Sequence, residues 1–238
     1  MRKPYAIVHE DEHIIVVDKK AHTLSVPDRF DPSKPNLRDL LTARFGQIYV
    51  VHRLDMETSG IMVFAKDEES HAHLSDQFEN RKVVKTYLAL CQHPVENSGT
   101  IHTHIAESKS KKGMYIAALK GKEALTDYKV VKSLDRYALV SLRIHTGRTH
   151  QIRVHMKHIG APLLTDSKYG LSPTFFLSQI KKLKFNRNHE ERPLISRSSL
   201  HSHRLTLAHP KTGAETTWES SLHKDMKAVV FQLEKLKR

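Results

Sequence analysis

The sequence predicts an α+β fold, and three observations carry that expectation. Short β-branched and aromatic runs alternate irregularly with helical spacings, so the order of strands and helices is mixed. Hydrophobic content of 39% and charged content of 27% are globular values. A chain of 238 residues buries a proper core, and no repeat, low-complexity tract or evident linker divides it. One domain over residues 1–238 is therefore expected.

The elements follow in order. Residues 5–8 and 14–17 are β-branched runs on either side of His9-Glu10-Asp11-Glu12-His13, a strand–turn–strand unit. Pro27, Pro32 and Pro35 make 20–36 a long loop. Leu37, Leu40, Leu41 and Phe45 have helical spacing, and Gly46 supplies the stop. Ile48–Val51 and Ile61–Phe64 read as strands, 67–81 as a surface helix on Leu74 and Phe78, and 83–90 as a strand. Between residues 100 and 106, Ile101, Thr103 and Ile105 alternate with His102 and His104, the period of a half-buried strand. The Lys-rich stretch 107–122, with Gly113 and Gly121, is a basic loop or hairpin. Residues 124–133 and 137–145 are strands, and 149–158 has helical length before Gly160 and Pro162 end it. Ser172-Pro173 suits the start of a helix through Leu183, beyond which 184–192 is charged and exposed. Residues 200–207 and 214–218 flank the turn His209-Pro210-Lys211-Thr212-Gly213, and 222–236 closes the chain as an amphipathic helix.

Charge narrows the partners. Thirty-nine Lys and Arg against 26 Asp and Glu leave +13, with a pI near 9.7, which favours polyanions and nucleic acid above all. A membrane surface fits less well, because only the C-terminal helix joins amphipathicity to a basic face. The single Cys91 rules out an internal disulfide, points to a reducing compartment and reads as a small buried hydrophobe. The N-terminus turns polar at His9, and no apolar stretch reaches membrane-spanning length. A monomer in the cytoplasm, with no membrane partner, is expected. Eighteen His invite a metal-dependent hydrolase as a rival. His9–His13 has the letters of H-E-x-x-H, but that chemistry needs a helix, and Ile14-Ile15-Val16-Val17 follows at once. The H-x-H pairs His71/His73, His102/His104 and His201/His203 are dispersed, so no metal and no cofactor are expected.

Two stretches concentrate chemistry. His52-Arg53-Leu54-Asp55-Met56-Glu57-Thr58-Ser59-Gly60 puts one carboxylate, Asp55, in a polar turn between two strands, where it is a turn former or a catalyst. Thr146-Gly147-Arg148-Thr149-His150-Gln151-Ile152-Arg153 is the second. An Arg153 guanidinium facing Asp55 would keep that carboxylate ionised, as a nucleophile requires. Arg153 as a plain phosphate contact is the other reading, and with it a non-catalytic RNA-binding protein.

Together these stretches resemble the RluA-type pseudouridine synthases. The resemblance rests on His52-Arg53-Leu54-Asp55 with Thr58-Ser59-Gly60, on Lys85-Thr86-Tyr87-Leu88-Ala89, and on the block from Gly147 to His155. Gly160-Ala161-Pro162, Asp166, Tyr169-Gly170, Leu200-His201 and His209-Pro210 follow in family order, and the whole covers roughly residues 12–220. It implies a single catalytic domain with a mixed, largely antiparallel bent sheet flanked by helices and loops. It implies an isomerase that converts uridine to pseudouridine in structured RNA, rRNA or tRNA, after flipping the base. Asp55 would be the nucleophile, Tyr87 the surface that stacks on the flipped base and serves in proton abstraction, and Arg153 the partner of Asp55. Arg53 would enter the space the base vacates, and His52, Thr58, Arg148 and His150 would bind substrate. Segments 107–122 and 171–197 would contact RNA. The family's N-K-P-x-G is replaced by Asp18-Lys19-Lys20-Ala21-His22, which puts the local turn in question, and G-D-x-L-Y-G appears as Thr165-Asp166-Ser167-Lys168-Tyr169-Gly170.

Overall fold

The computed structural model describes residues 3–92, 96–170, 172–181 and 191–236. In chain order the first elements are β1 (Tyr5–Glu10), β2 (Ile14–Lys19), α1 (Leu37–Phe45), β3 (Tyr49–Val50), β4 (Ser59–Ala65) and α2 (Glu68–Glu79). Then come β5 (Val84–Cys91), β6 (Ser98–Glu107), β7 (Tyr115–Ala118), β8 (Lys122–Leu134), β9 (Tyr137–Ile144) and α3 (Gln151–His158). β10 (Leu200–Ala208), β11 (Glu215–Glu219) and α4 (Lys224–Lys235) complete the chain. These elements form an α+β protein divided into two compact units, Met1–Tyr87 with His201–Ser221, and Leu88–Leu200 with Leu222–Arg238.

In the first unit the strands run in the order β1-β2-β4-β10, with β3 on β4 and β11 on β10. All these pairs are antiparallel except β4 with β10, which is parallel through Ser59 with His201 and Gly60 with Ser202. Every residue of β4 is buried, as a central strand covered on both faces requires. Ile14, Val16, Ile61, Val63, Leu74, Leu205 and Trp218 share its core. The second unit orders its strands β5-β9-β8-β6-β7, and the 107–122 stretch is the hairpin of β6 and β7 leading into β8. Leu90, Leu134, Phe175, Ile195, Met226, Val229 and Leu233 form one cluster there, joining α4 to the sheet. Cys91 is buried and its thiol is pushed up to about 12 by burial, so it packs as a hydrophobe.

Local rules place most ends. Asn36 caps α1 by accepting from the Asp39 amide at 3.1 Å, and Asp67 caps α2 by accepting from Ser70 at 2.7 Å. Two expectations need correction. The helix opened by Ser172-Pro173 is absent among the described residues; Leu177–Gln179 makes one 3₁₀ turn only. There the Phe175 amide donates to Ile195 O at 2.9 Å, so burying Phe175 fixes the backbone as an extended bridge. The expected strand 48–51 shortens to Tyr49–Val50. Most of the charged stretch 184–192 lies outside the described residues.

The H-E-x-x-H letters form a turn between β1 and β2 instead of a zinc-binding helix. Asp11 is its centre. One carboxylate oxygen accepts from the His13 and Ile14 amides, both at 2.8 Å. The other meets His9 Nε2 at 2.7 Å and His209 Nε2 at 3.0 Å. His209 Nδ1 accepts from the amides of Lys211 and Thr212, so its Nε2 carries the proton that goes to Asp11. A cavity of about 390 Å³ beside this corner is lined by His9, His13, His209, Lys211 and Trp218. Burial pushes the Asp11 carboxyl up, but the hydrogen bonds from His9, Ile14, His13 and His209 outweigh it and hold the group well below the usual carboxylate range.

Two outcomes follow from these turns. A group with a depressed folded pKa stabilises above its unfolded pKa and loses that effect as pH falls through its folded one. The stability difference between wild type and Asp11→Asn, read by urea unfolding, is therefore full above about pH 4 and shrinks in more acid buffer. His22 holds φ +61, in the left-handed region, at the place of the family motif's glycine. His22→Gly should stabilise the chain by up to about 1 kcal/mol, raising the melting midpoint by roughly 2–4 °C.

Candidate active site

The site in the first unit begins where β4 meets β10. Gly60 has φ +112, and a Cβ there would lie 2.1 Å from the carbonyl oxygen of Ser202. Only glycine permits this approach. Ser202 Oγ donates to Ile61 O at 3.1 Å across the same pair. His201 Nε2 lies 3.0 Å from Ser220 O, an acceptor only, so Nε2 carries the proton and Nδ1 accepts from Ser59 Oγ at 2.9 Å.

This parallel pair fixes the end of the turn that carries Asp55. The Thr58 amide donates to Asp55 O at 3.1 Å, closing a β-turn with Thr58 buried and Met56 exposed. Both neighbours of Asp55 are held from outside the turn. Ser25 Oγ accepts from the Leu54 amide at 3.1 Å and donates to Leu54 O at 2.8 Å. The fully buried Lys19 points its ammonium at Met56 O at 3.2 Å, as well as Thr23 O at 2.8 Å and Lys20 O at 3.2 Å. Asp55 itself is partly exposed and Arg53 exposed.

Tyr87, on β5 in the same unit, is buried and hydrogen-bonds Ser202. Burial raises its pKa, and the nearby Asp55 carboxylate raises it further, so the phenol stays neutral. Asp55 and Tyr87 thus lie within electrostatic reach of one another in the first unit. His52 is used differently from an exposed ligand group. Its Nε2 accepts from the Val63 amide at 3.0 Å and its ring stacks on Phe78 at 4.7 Å. Burial, with the Lys85 ammonium nearby, pushes its pKa down to about 3, so the ring frames the loop as a neutral base.

The second unit organises the other motif around Asp166. Arg153, at the buried face of α3, donates from Nε at 2.6 Å and from Nη2 at 2.8 Å to its two carboxylate oxygens. The Lys168 and Tyr169 amides add bonds of 2.8 and 3.0 Å. Burial pushes the Asp166 carboxyl up, but Arg153 and these amides hold it below its ordinary value. The Tyr169 ring lies 4.9 Å from the guanidinium carbon. Its hydroxyl accepts from the Tyr115 amide at 2.9 Å and shares a hydrogen bond of 2.7 Å with His150 Nδ1. His150 holds φ +56 ahead of α3, and Arg148 Nε donates to Glu123 O at 2.8 Å. Sequence reasoning did not assign Ser25, Lys19, Ser202 or the Arg153–Asp166 fork. Only Asp166 left a signal, as part of the block after Arg153. Among the described residues no three His, Cys, Asp or Glu side chains are grouped to hold a metal ion.

Residues 13–158 match the model of the RNA pseudouridylate synthase family. An uncharacterised RNA pseudouridine synthase from Chlorobaculum parvum is 37% identical, over 97% of this chain and 74% of its own length. The ribosomal large subunit pseudouridine synthase D of Pseudomonas aeruginosa is 36% identical, over 92% of this chain and 68% of its own. Among solved structures, human RNA pseudouridylate synthase domain containing 4 superimposes with a TM-score of 0.74 at 27% identity, covering 96% of this chain and 93% of that one.

Ser25→Ala leaves the Leu54 amide and carbonyl without their buried partner. It should lower stability by about 1–3 kcal/mol in a denaturant titration. Turnover should fall with KM little changed, because the loop it loosens carries Asp55.

Proposed function

Because the chain belongs to the RNA pseudouridylate synthase family of RNA-modifying isomerases, we propose that it converts uridine to pseudouridine in large-subunit ribosomal RNA, with Asp55 as nucleophile. One observation carries the assignment of the site: within one unit, a partly exposed carboxylate on a loop pinned at both neighbours lies close enough to the buried Tyr87 to perturb its phenol. The reaction breaks the bond between the ribose and N1 of the base and forms one to C5. The C5 proton leaves and N1 gains one, so no electrons are exchanged and no redox group is required. Asp55 supplies the attacking carboxylate. By the same resemblance, Tyr87 supplies an aromatic face for the extruded base and serves in taking the proton that leaves C5.

The remaining roles are proposals from the same resemblance. Arg153 supports the carboxylate chemistry, and Arg53 fills the gap left by the flipped base. Thr58, His52, Arg148 and His150 shape substrate binding, His52 through the loop it frames. Residues 1–238 act as one catalytic domain, monomeric and cytoplasmic, using segments 107–122 and 171–197 as basic contacts to RNA. Ribosomal RNA is preferred to tRNA because several relatives are named for the large ribosomal subunit.

An Asp55→Asn variant should lose tritium release from a [5-³H]uridine-labelled large-subunit rRNA transcript by at least roughly 10³-fold, while its RNA affinity stays near that of wild type. Full activity in the variant would remove Asp55 from the mechanism. Affinity for the transcript should weaken roughly a hundredfold between 50 and 200 mM salt if about five phosphates are contacted.

A further inference from the structure

A cation whose shaft folds against the protein normally ends on an oxygen, since a partly desolvated ammonium without an acceptor is costly. The described residues keep this rule with one exception. Lys19 ends on three carbonyls, Lys66 on Glu10 and the Asp11 carbonyl, Arg153 on Asp166, Lys181 on Gln232 and Arg197 on Asp225. Lys20 and Arg148 each reach a backbone carbonyl. Lys85, partly buried in β5, ends on none of these.

Its surroundings among the described residues explain why no acceptor meets it there. The ammonium lies 5.6 Å from the centre of the Phe78 ring, which stacks on His52. The Nε2 of His52 is occupied by the Val63 amide, so the neutral ring carries its proton on Nδ1 and has no lone pair left to give. Lys85 thus lies beside an aromatic surface and near a neutral imidazole whose one acceptor nitrogen is taken. Burial holds its pKa below the ordinary lysine value, a cost that an arriving anion would offset.

Position supplies the rest. Lys85 and Tyr87 are two residues apart on one strand, so their side chains leave the same face about 7 Å apart. That is the scale on which a nucleotide carries its phosphate relative to its base. We propose that Lys85 is a phosphate-binding residue, whose ammonium takes the phosphodiester of the RNA strand beside the uridine that enters against Tyr87. The assignment rests on the pseudouridine synthase reading and extends it to how the strand is held.

The test compares Lys85→Met and Lys85→Arg, each combined with Asp55→Asn for binding and alone for turnover, on the unmodified large-subunit rRNA transcript. Lys85→Met should weaken binding about tenfold and reduce the slope of log Kd against log salt by roughly 0.7–0.9, the loss of one phosphate contact. KM should rise while kcat stays within about threefold, and Lys85→Arg should recover the slope. The melting midpoint of Lys85→Met should hold or rise, because an unmatched cation has been removed. An unchanged slope and affinity, or a lowered midpoint with an unchanged slope, overturns the assignment. If Lys85→Met does not fold, Lys85→Gln decides by the same slope. Wild type that makes no pseudouridine would sink the parent reading. An active wild type with an indifferent Lys85→Met would sink only this one.

Discussion

The hydroxyl of Ser25, placed between the amide and the carbonyl of Leu54, is the contact on which the rest of the site depends. A four-residue turn closed by one hydrogen bond is held by about 1 kcal/mol net, too little to fix a reacting group within a fraction of an ångström. The segment from Lys19 to Ser25 supplies the missing restraint by meeting the backbone on each side of Asp55. This gives the altered sequence Asp18-Lys19-Lys20-Ala21-His22 a mechanical meaning. Its lysine is spent on carbonyl oxygens, and its histidine accepts a left-handed backbone so that the chain can turn back toward Leu54.

Burial pushes three ionisable side chains of the first unit toward their neutral forms. It raises Tyr87 and lowers His52 and Lys85. Electrostatic interactions among partly buried groups of this kind are stronger than in water. Elsewhere the protein treats burial differently. Asp11 and Asp166 are ringed by donors that keep them ionised, and they serve as structural pins for a hairpin corner and for α3. The contrast separates carboxylates held ionised by donors from side chains that burial pushes toward their neutral forms.

Much of this was legible in the sequence where a local rule governs. Asn36 and Asp67 announce α1 and α2 because an N-cap is a contact over three residues. The turn at 209–213 and the alternation around Ile101 were readable for the same reason. The expected helix at 172–183 failed because Phe175 answers to Ile195, twenty residues away, and tertiary pairing overrode local chemistry. Asp55 and Tyr87 stand in the motifs that carry the family resemblance, whereas Ser25, Lys19 and Ser202 drew no such reading. Their work is done on backbone atoms of distant segments, which leaves neither period nor spacing behind. Gly60 shows the intermediate case: a glycine in a turn-like stretch was visible, but its cause, the backbone of Ser202, was not.

That crossing has a consequence for biosynthesis. β4 is a run of seven buried residues including Ile61, Met62, Val63 and Phe64, and the strand beside Gly60 comes from near the far end of the chain. At translation rates of about 5–20 residues per second, His201 emerges roughly ten seconds after Tyr87. For that interval β4 has β2 and β3 beside it, but the edge at Ser59 and Gly60 waits for a strand not yet made, and open strand edges invite pairing with the wrong chain. The approach of Gly60 to Ser202 is therefore completed only after most of the chain has been made.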